Sequence, residues 1–154
     1  MVEGEGMNMG KALSLEEKLA GARSFGNMGM ISAITFIRSN YGDEGVKKFF
    51  AAFAKNSVNS EMWKQTPGEG ALKALNYART TFQIVGNDIK VLEESPKKVV
   101  LQATTCGPSK IGVKTPSPLC EFCAASVVES AKVLGWKATA KSGKIPCEWS
   151  ITTS

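Results

Sequence analysis

Histidine is absent from this chain of 154 residues, and that one lack removes many chemistries together. Ser-His-Asp triads, Cys-His dyads, HExxH zinc sites and His-liganded haem all require an imidazole. Cysteine is missing from everything before Cys106. No apolar run approaches the ~18 residues that a membrane-spanning helix needs. The net charge is +5, yet the lysines are scattered, with doublets only at Lys47-Lys48 and Lys97-Lys98. Without a basic block interleaved with aromatics, nucleic acid is not an expected partner. There is no Walker loop, and Gly4-Glu5-Gly6 is not followed by the rest of a dinucleotide fingerprint. The stretch from Met1 to Gly10 has neither the basic start nor the apolar centre of a signal peptide. The expectation is a flexible leader over 1–13, one domain over 14–154, and a cytoplasmic, reducing compartment.

What remains is ordinary for a folded domain: 43% hydrophobic and 21% charged residues, enough to build one core. Ser14 with Glu17 reads as a capping box, and Leu15, Leu19 and Ala22 follow at helical spacing. The apolar run from Phe25 to Ile37 is interrupted by Gly26 and Gly29, which predicts a helix break there or a close approach of backbone or ligand. Asn40-Tyr41-Gly42 ends this segment, and Asp43 starts an amphipathic helix through Val46, Phe49, Phe50 and Phe53. A further helix opens after Pro67-Gly68-Glu69 and runs to Phe82.

The period then changes. Ile89 to Glu93 and Lys98 to Ala103 flank a Glu94-Ser95-Pro96-Lys97 turn and predict a hairpin. Residues 107–117, rich in Gly, Pro, Ser and Lys, read as a loop. Ser117-Pro118 starts another helix, with proline at its first position, and Gly135 ends it. Trp136 to Ala140 and Cys147 to Ile151 form a second hairpin-like pair. This order predicts an α+β domain, with an N-terminal helical layer on a mostly antiparallel sheet of about four strands and a CxxC-bearing helix.

The four cysteines are the sharpest feature. Cys120 and Cys123 share a helix face, with Cys120 in a first turn whose free amides favour a thiolate. Cys106 follows a strand, and Cys147 begins the last one. Four readings stay open: inert buried thiols, a metal site, a redox or nucleophilic thiol, and two disulfides. As a metal site, Cys106, Cys120, Cys123 and Cys147 would hold zinc or an iron–sulfur cluster. As an enzyme, Cys120 and Cys123 would be the catalytic residues, with Glu121 or Glu148 as a base or oxygen ligand. In the helical half, Phe25, Met28, Met30, Phe36, Phe49, Phe50, Phe53, Trp63 and Phe82 read either as ordinary core or as the lining of a pocket for a hydrophobic or aromatic molecule.

The segment from about Val85 to Ile151 resembles the 4-vinyl-reductase-like small-molecule-binding domains. It is also similar to the L-2-amino-thiazoline-4-carboxylic acid hydrolase family. The likeness lies in the hairpin ending at Cys106, in Leu119-Cys120-Glu121-Phe122-Cys123, in Leu134-Gly135-Trp136, and in Pro146-Cys147-Glu148-Trp149. The first resemblance implies an α/β pocket for a hydrophobic or aromatic effector, and in several members a structural zinc held through cysteines and a glutamate, with a Glu-x-x-Cys-x7-Cys run ending on the last strand among the ligands. Here Cys147 matches the last cysteine of that run, while Trp136 and Thr139 stand at the other two positions, so the zinc site does not carry over intact. The second resemblance implies thiol-based ring opening. The combined expectation is a ligand-binding or sensor domain with a cysteine-cluster metal or redox site. Its alternative is a cysteine-dependent hydrolase or thiol redox enzyme, and a homodimer stays open.

Overall fold

Ser14 caps the first helix as its sequence requires. Its hydroxyl accepts the Glu17 N–H at 3.1 Å, and the Glu17 carboxylate accepts the Ser14 N–H at 2.7 Å. The structure is a computed structural model and describes residues 12–154; most of the expected leader lies outside that range. Helix α1 (Leu15–Val58) is interrupted at Gly42, whose φ of 66° and ψ of −170° only glycine adopts readily. In a straight helix Ile34 and Val46 would stand about 18 Å apart along the axis. Both instead join Phe50 in one buried cluster. The chain therefore turns at Gly42, and the two arms, 15–41 and 43–58, pack on each other. At the corner, a Cβ on Gly45 would lie 2.5 Å from Tyr41 Cβ and 3.2 Å from Ile37 Cγ2.

Gly26 and Gly29 do not break the first arm. The helix is continuous through both, and a Cβ at either would meet nothing within 4 Å. Glycine costs a helix only about 1 kcal/mol relative to alanine, and the packed Met30, Ile34 and Ile37 side holds the arm in place.

After α2 (Glu61–Gln65), a short turn of helix not anticipated from the sequence, come α3 (Gly70–Ile84), β1 (Ile89–Glu94) and β2 (Lys98–Ala103). The 107–117 segment is not all loop: Pro108 helps form a single helical turn, α4 (Gly107–Lys110). Then follow α5 (Pro118–Val133), β3 (Lys137–Lys141) and β4 (Cys147–Thr152). The four strands make one sheet in the order β1-β2-β4-β3, antiparallel at every pairing. The fold is α+β.

Strand alternation decides where the core lies. Val99, Leu101 and Ala103 of β2 and Trp149 and Ile151 of β4 are buried on one face, against Ala71, Ala74, Leu75, Ala78 and Phe82 of α3. Gln102, Glu148 and Ser150 fall on the opposite face, which is more polar and only partly covered. Helix α5 lies over the core face beside α3, with Cys123 and Val127 packed on the core. Phe122 on the same helix meets Phe53 edge to face, ring centroids 4.7 Å apart, and so ties the second arm of α1 to α5. Arg38 of the first arm pairs with Glu121 and with Asp43. Among the described residues no helix is long and apolar enough to cross a membrane.

One close crossing fixes the loop after β2. A Cβ on Gly107 would sit 1.9 Å from Val85 O, so only glycine lets these two backbone segments pass. Buried Asn87 locks the crossing, its side-chain oxygen accepting the Gly107 N–H at 2.6 Å.

Candidate functional site

Two adjoining cavities occupy the space between the helices and the sheet. The larger measures about 300 Å³. Phe53 and Ser57 of α1, Met62 and Trp63 of α2, the α3 side chains from Ala74 to Ile84, and the α5 side chains from Phe122 to Ala131 enclose it, with Ile151 from β4. Trp63 stands edge-on to Tyr77, centroids 5.2 Å apart, and 6.3 Å from Trp136. Among the described residues no charged side chain lines this cavity. The polar side chains of its lining carry hydroxyls, the Cys123 thiol and the indole N–H groups of Trp63 and Trp136. Thr81 donates to the carbonyls of Tyr77 and Ala78, and Ser126 to that of Cys123. Ser57, Tyr77 and Ser130 contribute further hydroxyls to the lining.

The sequence-predicted pocket residues divide. Phe53, Trp63 and Phe82 line the cavity. Phe25, Met28 and Phe36 do not: they lie on the outer side of the first arm, 75%, 58% and 62% exposed. Met30, Phe49 and Phe50 also stay out of it, being packed in the cluster that joins the arms of α1. Tyr77, Phe122, Val127 and Trp136 are wall residues that sequence reasoning passed over. For α5 a signal was available, since Ser126, Val127 and Ser130 stand three, four and seven residues after Cys123 on one helix face.

The smaller cavity measures about 30 Å³, and all four cysteines line it. Three elements bring them there. Cys106 is the N-cap of α4, Cys120 and Cys123 lie in the first turns of α5, and Cys147 opens β4 opposite Ala103. The thiols are free and partly buried. Burial first, and then the neighbouring Cys106, Cys120 and Cys147, push the Cys123 thiol up to about 12. Burial also pushes Cys147 up, against backbone hydrogen bonds in the preceding turn that pull the other way. Ser142 Oγ donates to Cys120 O at 2.9 Å, tying the β3–β4 turn to the start of α5.

Neither glutamate considered as a base or oxygen ligand reaches this cavity. Glu121 is held by Arg38, and Glu148 accepts from Gln102 on the opposite face of the sheet. No charged side chain lines the thiol cavity among the described residues. No three Cys, Asp or Glu side chains among them are arranged, as they stand, to hold a metal ion.

Cys123 lines both cavities. Trp149 lies beside it: its indole N–H donates to Cys123 O at 3.1 Å, and its ring packs on Phe82 at 4.6 Å between centroids. No protein-family model matches the chain, and no curated protein matches it. The function is therefore argued from these two cavities. The ligand positions of the vinyl-reductase-like zinc run are unsuited to a metal here, since Trp136 lines the apolar cavity and Thr139 is exposed on β3.

Proposed function

We propose that the chain is a binding domain for a neutral, flat, apolar small molecule, held in the larger cavity between α3, α5 and the second arm of α1. The observation that carries this reading is a cavity of about 300 Å³ whose walls include six aromatic side chains and, among the described residues, no charge. That volume is at the lower end of small-molecule sites, which are mostly apolar with a few orienting polar groups. A charged ligand would lose its hydration there with no countercharge to replace it. An aromatic one would stack or meet ring edges on Trp63, Phe82, Phe122 and Trp136.

Titration with the neutral fluorophore N-phenyl-1-naphthylamine tests it, followed by probe emission and by quenching of tryptophan emission. Saturable uptake is expected, weakened at least about tenfold, or ~1.4 kcal/mol, by Ser126→Trp, which fills the cavity without removing a wall. Equal uptake by a variant that keeps its circular dichroism spectrum would place the probe elsewhere.

The alternative, an enzyme using Cys120 or Cys123, has less support. A thiol nucleophile needs a thiolate and a base or cation that favours it. Cys123 is held protonated by its surroundings, and the thiol cavity contains neither carboxylate nor amine.

A further inference from the structure

The cysteine cavity has its own chemistry, and it touches the apolar cavity at one residue. Its donors are four thiols with no nitrogen base and no carboxylate around them. Such a set favours soft or borderline cations. Four thiolates round a single ion are also the donor set of a closed, tetrahedral zinc site. The cavity of about 30 Å³ has room for an occupant no smaller than a water molecule, and a single ion is the smallest occupant that engages all four thiols.

We propose that Cys106, Cys120, Cys123 and Cys147 bind one zinc-class divalent ion as a tetrathiolate, and that the ion and the apolar ligand bind cooperatively because Cys123 walls both cavities. The second half rests on the ligand-binding reading above. Loading is redox-neutral: four S–H bonds break, four metal–sulfur bonds form, and four protons pass to solvent. The product carries two net negative charges. Cys120 sits in the first turn of α5, at the positive end of the helix dipole, which favours that charge. The thiols are not arranged to hold an ion as they stand, so loading rotates side chains inward. For Cys123 that rotation fixes its Sγ on the thiol side. Because Cys123 also lines the apolar cavity, the coupling requires the ligand to favour that same placement of its side chain. Two occupants that select one conformer raise each other's affinity by the same factor.

Cobalt(II), added anaerobically to reduced protein, reads the site directly through thiolate-to-metal charge transfer and the intense visible bands of a tetrahedral ion. The expected result is one cobalt per chain, displaced by zinc, with the bands weakened by Cys106→Ser and by Cys147→Ser. Zinc loading should tighten N-phenyl-1-naphthylamine binding by at least about fivefold, the lower end of measured site-to-site couplings. Wild-type protein that shows no cobalt bands while titrating four free thiols overturns the metal site, with no variant needed. Cobalt bands with a probe affinity unchanged within twofold on zinc loading overturn the coupling. Cobalt bands with no probe binding in either state support the metal site and overturn the ligand reading, so the two failures are distinguishable.

Discussion

Asn87→Ala tests the strut that holds the two cavities in register. The Asn87 side chain is 6% exposed, and its oxygen accepts the Gly107 N–H at 2.6 Å. Gly107 is itself buried at the crossing with Val85. Alanine removes the acceptor and leaves a buried N–H without a partner, which costs about 1–3 kcal/mol. For a chain of this size each kcal/mol lowers Tm by about 2–4 °C, so a fall of roughly 2–12 °C is expected. Urea unfolding measures the free energy, and an unchanged m-value would confirm that stability alone moved. Hydrogen exchange at Gly107 should accelerate, and so should alkylation of Cys106 beside it. Asn76→Ala is the comparison: it loses a 3.2 Å bond to Pro67 O and a 3.3 Å bond from Arg79, neither of them fully buried, and should cost under about 1 kcal/mol. If Asn87→Ala is as mild as Asn76→Ala, the crossing is not held by this bond and the reasoning fails.

Glycines on α1 should respond in opposite directions. Gly45→Ala places a Cβ 2.5 Å from Tyr41 Cβ and should cost about 1–3 kcal/mol through overpacking, whereas Gly26→Ala, in open space, should gain up to about 1 kcal/mol of helix propensity; thermal melts of both check it, and a stabilising Gly45→Ala would refute the corner at Gly42. In metal-free protein at pH 8, Cys123, with its thiol pushed up to about 12, should alkylate roughly a thousandfold slower than an ordinary thiol. Mass-spectrometric mapping of iodoacetamide adducts reads this, and labelling of Cys123 at the rate of a free thiol would refute it. The Asp88 carboxyl is held low first by the Thr105 hydroxyl and then by Lys110. Its contribution is therefore present above the unfolded carboxylate value of about 3.9 and disappears as pH falls through the lower folded value. Asp88→Asn should be less stable than the parent at neutral pH and equal to it in strong acid; a constant difference across that range would refute the linkage.

The fold was largely legible because its signals are local. The Ser14–Glu17 box, the Gly42 stop, the Ser117-Pro118 start and the change of period after Gly86 each reside in a few adjacent residues, and each lands where it was expected. The pocket was legible only in part, for a reason of the same kind. Phe25, Phe36 and Phe53 have the same side chain and all lie on α1, and nothing local distinguishes an outward ring from one that turns in. The bend at Gly42 decides it, by turning the second arm toward α5 so that Phe53 meets Phe122. Gly26 and Gly29 misled because an isolated helical glycine signals tolerance as readily as contact.

The shared wall depends on β4 more than on the helix that carries the CxxC. Trp149 is 1% exposed, sits one alternation past Cys147 on the same face, and is paired with Leu101 while Cys147 is paired with Ala103. Its indole N–H reaches across to Cys123 O and its ring rests on Phe82. The strand that delivers Cys147 to the thiol cavity thus also sets the height of α5 above the sheet, and with it the positions of Cys120 and Cys123. Phe82, on the far side of the same indole, belongs to the apolar cavity. A displacement of Trp149 by a ligand at Phe82 would therefore be felt at the thiols through a hydrogen bond and a strand, with no mobile loop between them. Rigid packing at this junction would carry the proposed coupling between the two cavities.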